Sequence, residues 1–146
     1  MAITQALANS FKKELLEAEH NFKQTGGDKF KIALYTSSAT LNSATTSFTT
    51  TNEVANSGQY TSGGGALSNL GTSIASGVAI VDYADGSFTG VTLTARGALI
   101  YNTSATVTDA AVCALDFGAD KTATSGTFTI QFPAFTTAAA ILRISG

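Results

Sequence analysis

The chain has 146 residues, of which 44% are apolar and only 12% charged, and it holds one cysteine. A net charge of −2 with scattered Lys and Arg leaves no basic footprint for DNA or RNA. The lone cysteine excludes a disulfide within the chain, so nothing requires an oxidising compartment.

This length suits a single domain, 1–146, large enough for one core without metal or disulfide support. Thr, Ser, Asn and Gly occupy the places that charged residues usually fill. A polar surface of low charge repels its neighbours weakly, which suits a protein that packs against others. The N-terminal segment carries charges where a secretory signal needs an apolar core, and no run is long enough to span a bilayer. Synthesis in the cytosol is the expectation, with neither membrane nor nucleic acid as a partner.

Residues 1–25 read as an amphipathic helix. Ile3, Leu7, Phe11, Leu15 and Phe22 fall near one face, with Ala18 filling the gap. Lys12, Lys13, Glu14, Glu17 and Glu19 take much of the rest, and Lys13 can pair with Glu17 one turn on, for about 0.3 kcal/mol. Thr4 offers a cap, and Gly26 and Gly27 a stop. Such a helix either closes one end of the core or docks on a neighbouring subunit.

From residue 28 onward the period changes to two, and 28–146 reads as a β-sandwich. Phe30, Ile32 and Leu34 alternate with Lys29, Lys31 and Tyr35. Val91, Leu93 and Ala95 alternate with Thr92 and Thr94, and Phe128, Ile130 and Phe132 alternate with Thr127, Thr129 and Gln131. Residues 77–83, 97–102 and 110–117 are apolar on both faces, as central or interface strands are. Pro133 ends the strand before it, and residues 139–145 supply the last one. Between Thr36 and Ser76, residues 45–55 are a candidate edge strand and residues 59–67 a loop. The expected fold is mainly β: a β-sandwich or jelly roll of about seven or eight strands with one N-terminal amphipathic helix.

Several residues invite a chemical reading. The stretch VCALDFGADK, residues 112–121, combines Cys113, Asp116, Asp120 and Lys121. Its Asp-Phe-Gly lacks the glycine-rich and catalytic loops of a kinase, and the EF-hand spacing of carboxylates is missing. Strand followed by a turn at Gly118 explains it, with Cys113 as a small buried hydrophobe. Asp82 and Asp85 precede Gly86, a hairpin signal. The run Gly63-Gly64-Gly65 lacks the Lys and hydroxyl residue of a phosphate loop and reads as flexible. His20 is the only histidine, read as a solvated helix position without partners for zinc or for nucleophilic catalysis. Asp82 and Asp116 alone among the acids have apolar surroundings that would raise a pKa. Tyr35, Tyr60, Tyr83 and Tyr101 are the aromatic side chains left for sugar stacking in a chain without tryptophan. No catalytic, cofactor-binding or metal-ligating residue is therefore assigned, no cofactor is implied, and the chain is read as not an enzyme.

The segments SFKKELLEAEHNF and DKFKIALYTSSATLNSATTSFTTTNEVANSGQYTSGGGAL, with TARGALIYN and LDFGADKTATSGTFTIQFP, span nearly the whole chain. On these the sequence resembles a family of small structural proteins of tailed bacteriophages, most similar to head decoration or cement proteins. The resemblance implies a virion component on the capsid surface, assembled in the host cytoplasm, that braces the head shell. Its implied partners are the major capsid protein and further copies of itself, as a homodimer or homotrimer. The alternative is a phage tail or host-recognition module that presents residues 52–67 as a binding loop.

Overall fold

The computed structural model describes residues 2–146. In chain order the elements are β1 (Ala6–Leu7), α1 (Asn9–Leu16), β2 (Phe30–Tyr35), β3 (Gly65–Ala66), β4 (Asn69–Ala75), β5 (Val78–Tyr83), β6 (Gly86–Asn102), β7 (Ala110–Ile130) and β8 (Leu142–Ser145). They build two antiparallel sheets, one ordered β1-β7-β6-β2-β3 and the other β4-β5-β8. The fold is mainly β and sandwich-like, with one short helix.

The long hairpin of β6 and β7 is the frame. Its residues 97–102 and 110–114 are buried on both faces, which is why they read as unbroken apolar runs. β2 pairs along this inner half, from Phe30 opposite Asn102 to Tyr35 opposite Gly97. In the outer half, Val91, Leu93, Ala95, Phe128 and Ile130 point inward while Thr92, Thr94, Thr127 and Thr129 stay exposed. That half follows the period-two pattern residue by residue. β2 itself is more central than its lysines suggest, because Ala33 and Tyr35 are fully buried as well.

The second sheet contributes Val81, Tyr83 and Leu142 to the same core. An aromatic column joins the layers: Phe22 stacks on Phe30 at 4.7 Å, Phe30 meets Tyr83 at 5.7 Å, and Tyr83 meets Phe132 at 5.6 Å. Offset and tilted pairs of this kind add about 1 kcal/mol each beyond their buried area. They connect the N-terminal segment, both sheets and the chain after β7.

The N-terminal helix is much shorter than residues 1–25. Ile3 and Thr4 lie beside Leu41, with the Thr4 amide donating to the Leu41 carbonyl, and Ala6 and Leu7 pair with β7 as a strand. Only Asn9–Leu16 is helical, its first residue preceded by Ala8 with no side-chain cap. Ala18, at φ 63°, turns the chain left-handed and ends it, ten residues before Asp28. The apolar spacing misled because three different backbones bury those side chains: a strand, a helix and the extended segment of Phe22. The exposed Lys13–Glu17 pair does form, at 3.1 Å.

Three connections also depart from expectation. Residues 45–55 make isolated bridges, Ser47 to Ala110 and Glu53 to Tyr35, without becoming a strand. β4 is a strand that the Ser- and Gly-rich composition concealed. Asp82 to Gly86 is no hairpin: β5 and β6 lie in different sheets, so this stretch crosses between them. Asp85 fixes the crossing by accepting the Phe132 amide at 2.7 Å.

At the end of β6 the fully buried Asn102 holds four groups. Its amide nitrogen donates to His20 Nδ1 at 2.9 Å and to Asp28 Oδ2 at 2.8 Å. Its oxygen accepts the amides of Ser104 and Ala105 at 2.8 and 3.2 Å. Truncating it strands a buried ring nitrogen and loosens the β6–β7 turn. Asn102→Ala is expected to lower unfolding free energy by about 3 kcal/mol in urea titrations; a loss under about 0.5 kcal/mol would show that water replaces the amide.

Candidate functional site

His20 is where the sequence reading failed most clearly. It is buried and lies beyond the helix, with its ring 4.9 Å from that of Phe11. The two backbone amides on Asn102 Oδ1 fix that side chain's orientation, so its nitrogen faces the ring and His20 Nδ1 is an acceptor. Nε2 therefore carries the proton and donates it to Glu14 Oε1 at 3.0 Å. Both ring nitrogens are engaged and no lone pair faces solvent, so the ring serves as a strut. The signal for this lay in Glu14 and Asn102, which have no common spacing in sequence.

Residues 112–121 do not end in a turn. β7 continues through them, with Gly97 opposite Asp116 and Ala95 opposite Lys121, so residues 117–120 bulge out of the ladder. Gly118 takes φ 80° there. Asp116 Oδ1 accepts the Gly118 amide at 2.9 Å and lies 3.4 Å from Arg96 Nε. Its carboxylate locks the bulge, while Asp120 is exposed. Among the described residues no group of three or more His, Cys, Asp or Glu converges as metal ligands do.

The Gly63–Gly65 run is held, not flexible. Glu53 Oε1 accepts the Gly63 amide at 2.7 Å and the Tyr60 hydroxyl at 2.8 Å, and Oε2 accepts the Ser62 hydroxyl at 2.8 Å. Tyr60 in turn accepts the Leu34 amide at 2.8 Å, tying the loop to β2. Gly64 sits at φ 81°, where any Cβ would collide with the Ile32 carbonyl. All four tyrosines are buried, so none offers a free ring face for a sugar. The Tyr101 phenol is pushed up to about 12 by burial, with Asp109 and Glu53 adding to the shift.

Two grooves stand out on the surface of the described residues. One, about 530 Å³, runs beside the outer half of β7 and is lined by Phe117, Phe128, Phe132 and Pro133. The other, about 680 Å³, lies between α1 and the second sheet. Phe11, Leu15 and Leu16 form one wall and Val81, Leu142 and Ile144 the other. Leu16 is 90% exposed and Ile144 59%, an unusual position for large apolar side chains. Lys12, Lys23 and Arg143 are the charged residues on its rim, with no carboxylate among its lining residues. The groove thus has an apolar floor and a cationic edge.

No protein-family model, curated protein or solved structure matches this chain.

Two buried groups give direct tests. Asp82 has no exposed surface; Oδ1 accepts its neighbour's amide, that of Tyr83, at 2.9 Å, and Oδ2 has no partner. Burial raises its carboxyl above the ordinary value of 3.8, with Asp85 adding to the effect. A carboxyl that holds its proton more tightly when folded makes stability fall as pH climbs from that ordinary value through the raised one. Asp82→Asn keeps an acceptor for Tyr83 and removes the charge. Its melting temperature relative to the parent is expected to improve as pH rises from about 4 and to level off once the raised value is passed; a constant difference across the range would contradict the raised carboxyl.

Cys113 is buried on β7 and its thiol is pushed up to about 12 by burial. At neutral pH the folded protein is expected to resist thiol reagents and to react fully in denaturant. Absorbance on addition of an aromatic disulfide reads both states, and fast labelling of the folded chain would contradict the burial.

Proposed function

We propose that this chain is a virion structural protein that binds the outside of a bacteriophage capsid and stabilises the head shell. The carrying observation is the apolar, cation-rimmed groove between α1 and the second sheet, set on a frame whose loops are tied down by buried hydrogen bonds. Leu15, Leu16 and Ile144 supply the kind of compact apolar anchor from which interfaces draw most of their energy. The low charge elsewhere leaves copies free to crowd on a lattice.

Mechanistically, the protein acts by mass action. A brace that binds only the assembled shell stabilises that shell in proportion to its occupancy. A standard interface buries on the order of 1,600 Å² in total, and repetition over the lattice multiplies the effect through avidity. Lys12, Lys23 and Arg143 select a shell surface whose apolar patch is bordered by carboxylates. The chain then needs no catalytic residue and no cofactor. The tail or host-recognition alternative relies on residues 52–67, and the hold of Glu53 on Tyr60, Ser62 and Gly63 leaves that loop little latitude to vary its shape.

Shells purified without this chain test the proposal by co-sedimentation. Wild-type protein is expected to bind at high copy and to raise the temperature at which the shells break. Leu16→Asp with Ile144→Asp is expected to weaken binding at least about ten-fold. A chain found on particles in only a few copies, or one that ignores the shells, would overturn the head-surface reading.

A further inference from the structure

The outer half of β7 is an open edge. β6 pairs with one side of it, while β1 covers the other side only at Cys113 and Ala114. No other backbone group among the described residues bonds to β7 between Phe117 and Ile130. Natural edges are usually blunted by several charges or a proline. Here Lys121 is the one charge from residue 121 to residue 132, and Pro133 falls beyond the strand.

The direction of each backbone group follows from β6. The Thr89 amide and carbonyl bond Gln59, and the Thr92 amide bonds Ser57, all away from β7. In an antiparallel ladder the groups alternate, so Phe88 opposite Phe128 and Leu93 opposite Ala123 are the hydrogen-bonded pairs. Thr122, Thr124, Thr127 and Thr129 therefore turn their amides and carbonyls to the open side. The close Thr94–Thr122 hydroxyl contact, 2.9 Å, agrees, because unbonded pairs lie nearer together.

A bulge makes this edge its own complement. β7 carries one extra residue between Ala123 and Gly126, with Ser125 at φ 44°. Without it, Thr122 and Thr124 would face opposite to Thr127 and Thr129. With it, all four threonines are exposed on one face while Ala123 and Phe128 are buried on the other. Residues 122–129, TATSGTFT, thus become symmetric about the 125/126 peptide.

We propose that the outer edge of β7 pairs with the same edge of a second copy about a two-fold axis through Ser125 and Gly126. Thr124 then faces the partner's Thr127 and Thr122 the partner's Thr129, with Ala123 opposite the partner's Phe128 on the inner face. The pairing makes about eight backbone hydrogen bonds and threonine pairs of the kind sheets favour. Lys121 meets the partner's Ile130, so no like charges oppose each other along the paired strands. A bulge that alone would turn an edge away from pairing here brings matching faces into register. The inference gives a surface to the self-association expected above, and it holds for the free protein whether or not a shell is its target.

Sedimentation velocity of the full chain from about 1 to about 200 µM tests it. Wild type is expected to show a monomer–dimer equilibrium. Thr124→Lys with Thr127→Lys sets lysines opposite each other twice and should weaken dimerisation at least about ten-fold. Thr124→Lys with Thr127→Glu changes the same exposed positions but pairs opposite charges across the axis, and should stay within about three-fold of wild type. A wild type that is monomeric throughout, a dimer indifferent to both lysines, or equal loss in the two variants would each overturn this pairing. Shell binding is read by co-sedimentation, so a monomer that still coats shells would sink the dimer alone.

Discussion

Four groups converge on the Asn102 amide, and the rest of the molecule is arranged around them. A buried amide stabilises a fold only when its donors and acceptors are matched, since each unmatched one costs about 1–3 kcal/mol. Here all are matched: His20 and Asp28 on one side, Ser104 and Ala105 on the other. Asp28 also accepts the Asn21 amide at 2.9 Å, so the extended segment after α1 is fixed against the end of β6. That placement puts Phe22 on Phe30 and seats the helix over the core.

This constraint links stability to the surface. α1 leans on the frame through Phe11 and through the His20–Glu14 bond, which leaves Leu15 and Leu16 facing the second sheet across open space. The groove is thus a by-product of how a short helix is anchored. Side chains and loops that are already ordered lose little further entropy when a surface is bound.

The groove and the β7 edge have different chemistry. The groove offers apolar area with cations at its rim, which favours a partner unlike itself. The β7 edge offers hydroxyls and unpaired backbone with few charges, which favours a partner like itself. A threonine-lined strand is well suited to the second task, since its branched side chain keeps the backbone extended and its hydroxyl tolerates both water and a neighbour.

Period-two alternation in residues 91–95 and 127–132, and the two-sided apolar runs at 97–102 and 110–117, were legible from the chain alone, although only 110–114 of the second run are buried on both faces. A strand's faces alternate whatever lies beyond them, so the mainly β class followed, while the pairing of β6 with β7 as one long hairpin emerged only in the fold. Only tertiary structure decided the fate of residues 1–25, where apolar spacing was compatible with a helix but three backbone shapes bury the same side chains. It likewise decided that His20 is a buried strut, because its partner Asn102 is 82 residues away. Strand continuity through residues 117–120 depends on β6 lying alongside, and a turn-like sequence cannot report its neighbour. The symmetry of residues 122–129 was present in the letters all along, but it acquires meaning only when the bulge at Ser125 rotates half the strand and the sheet leaves that edge uncovered.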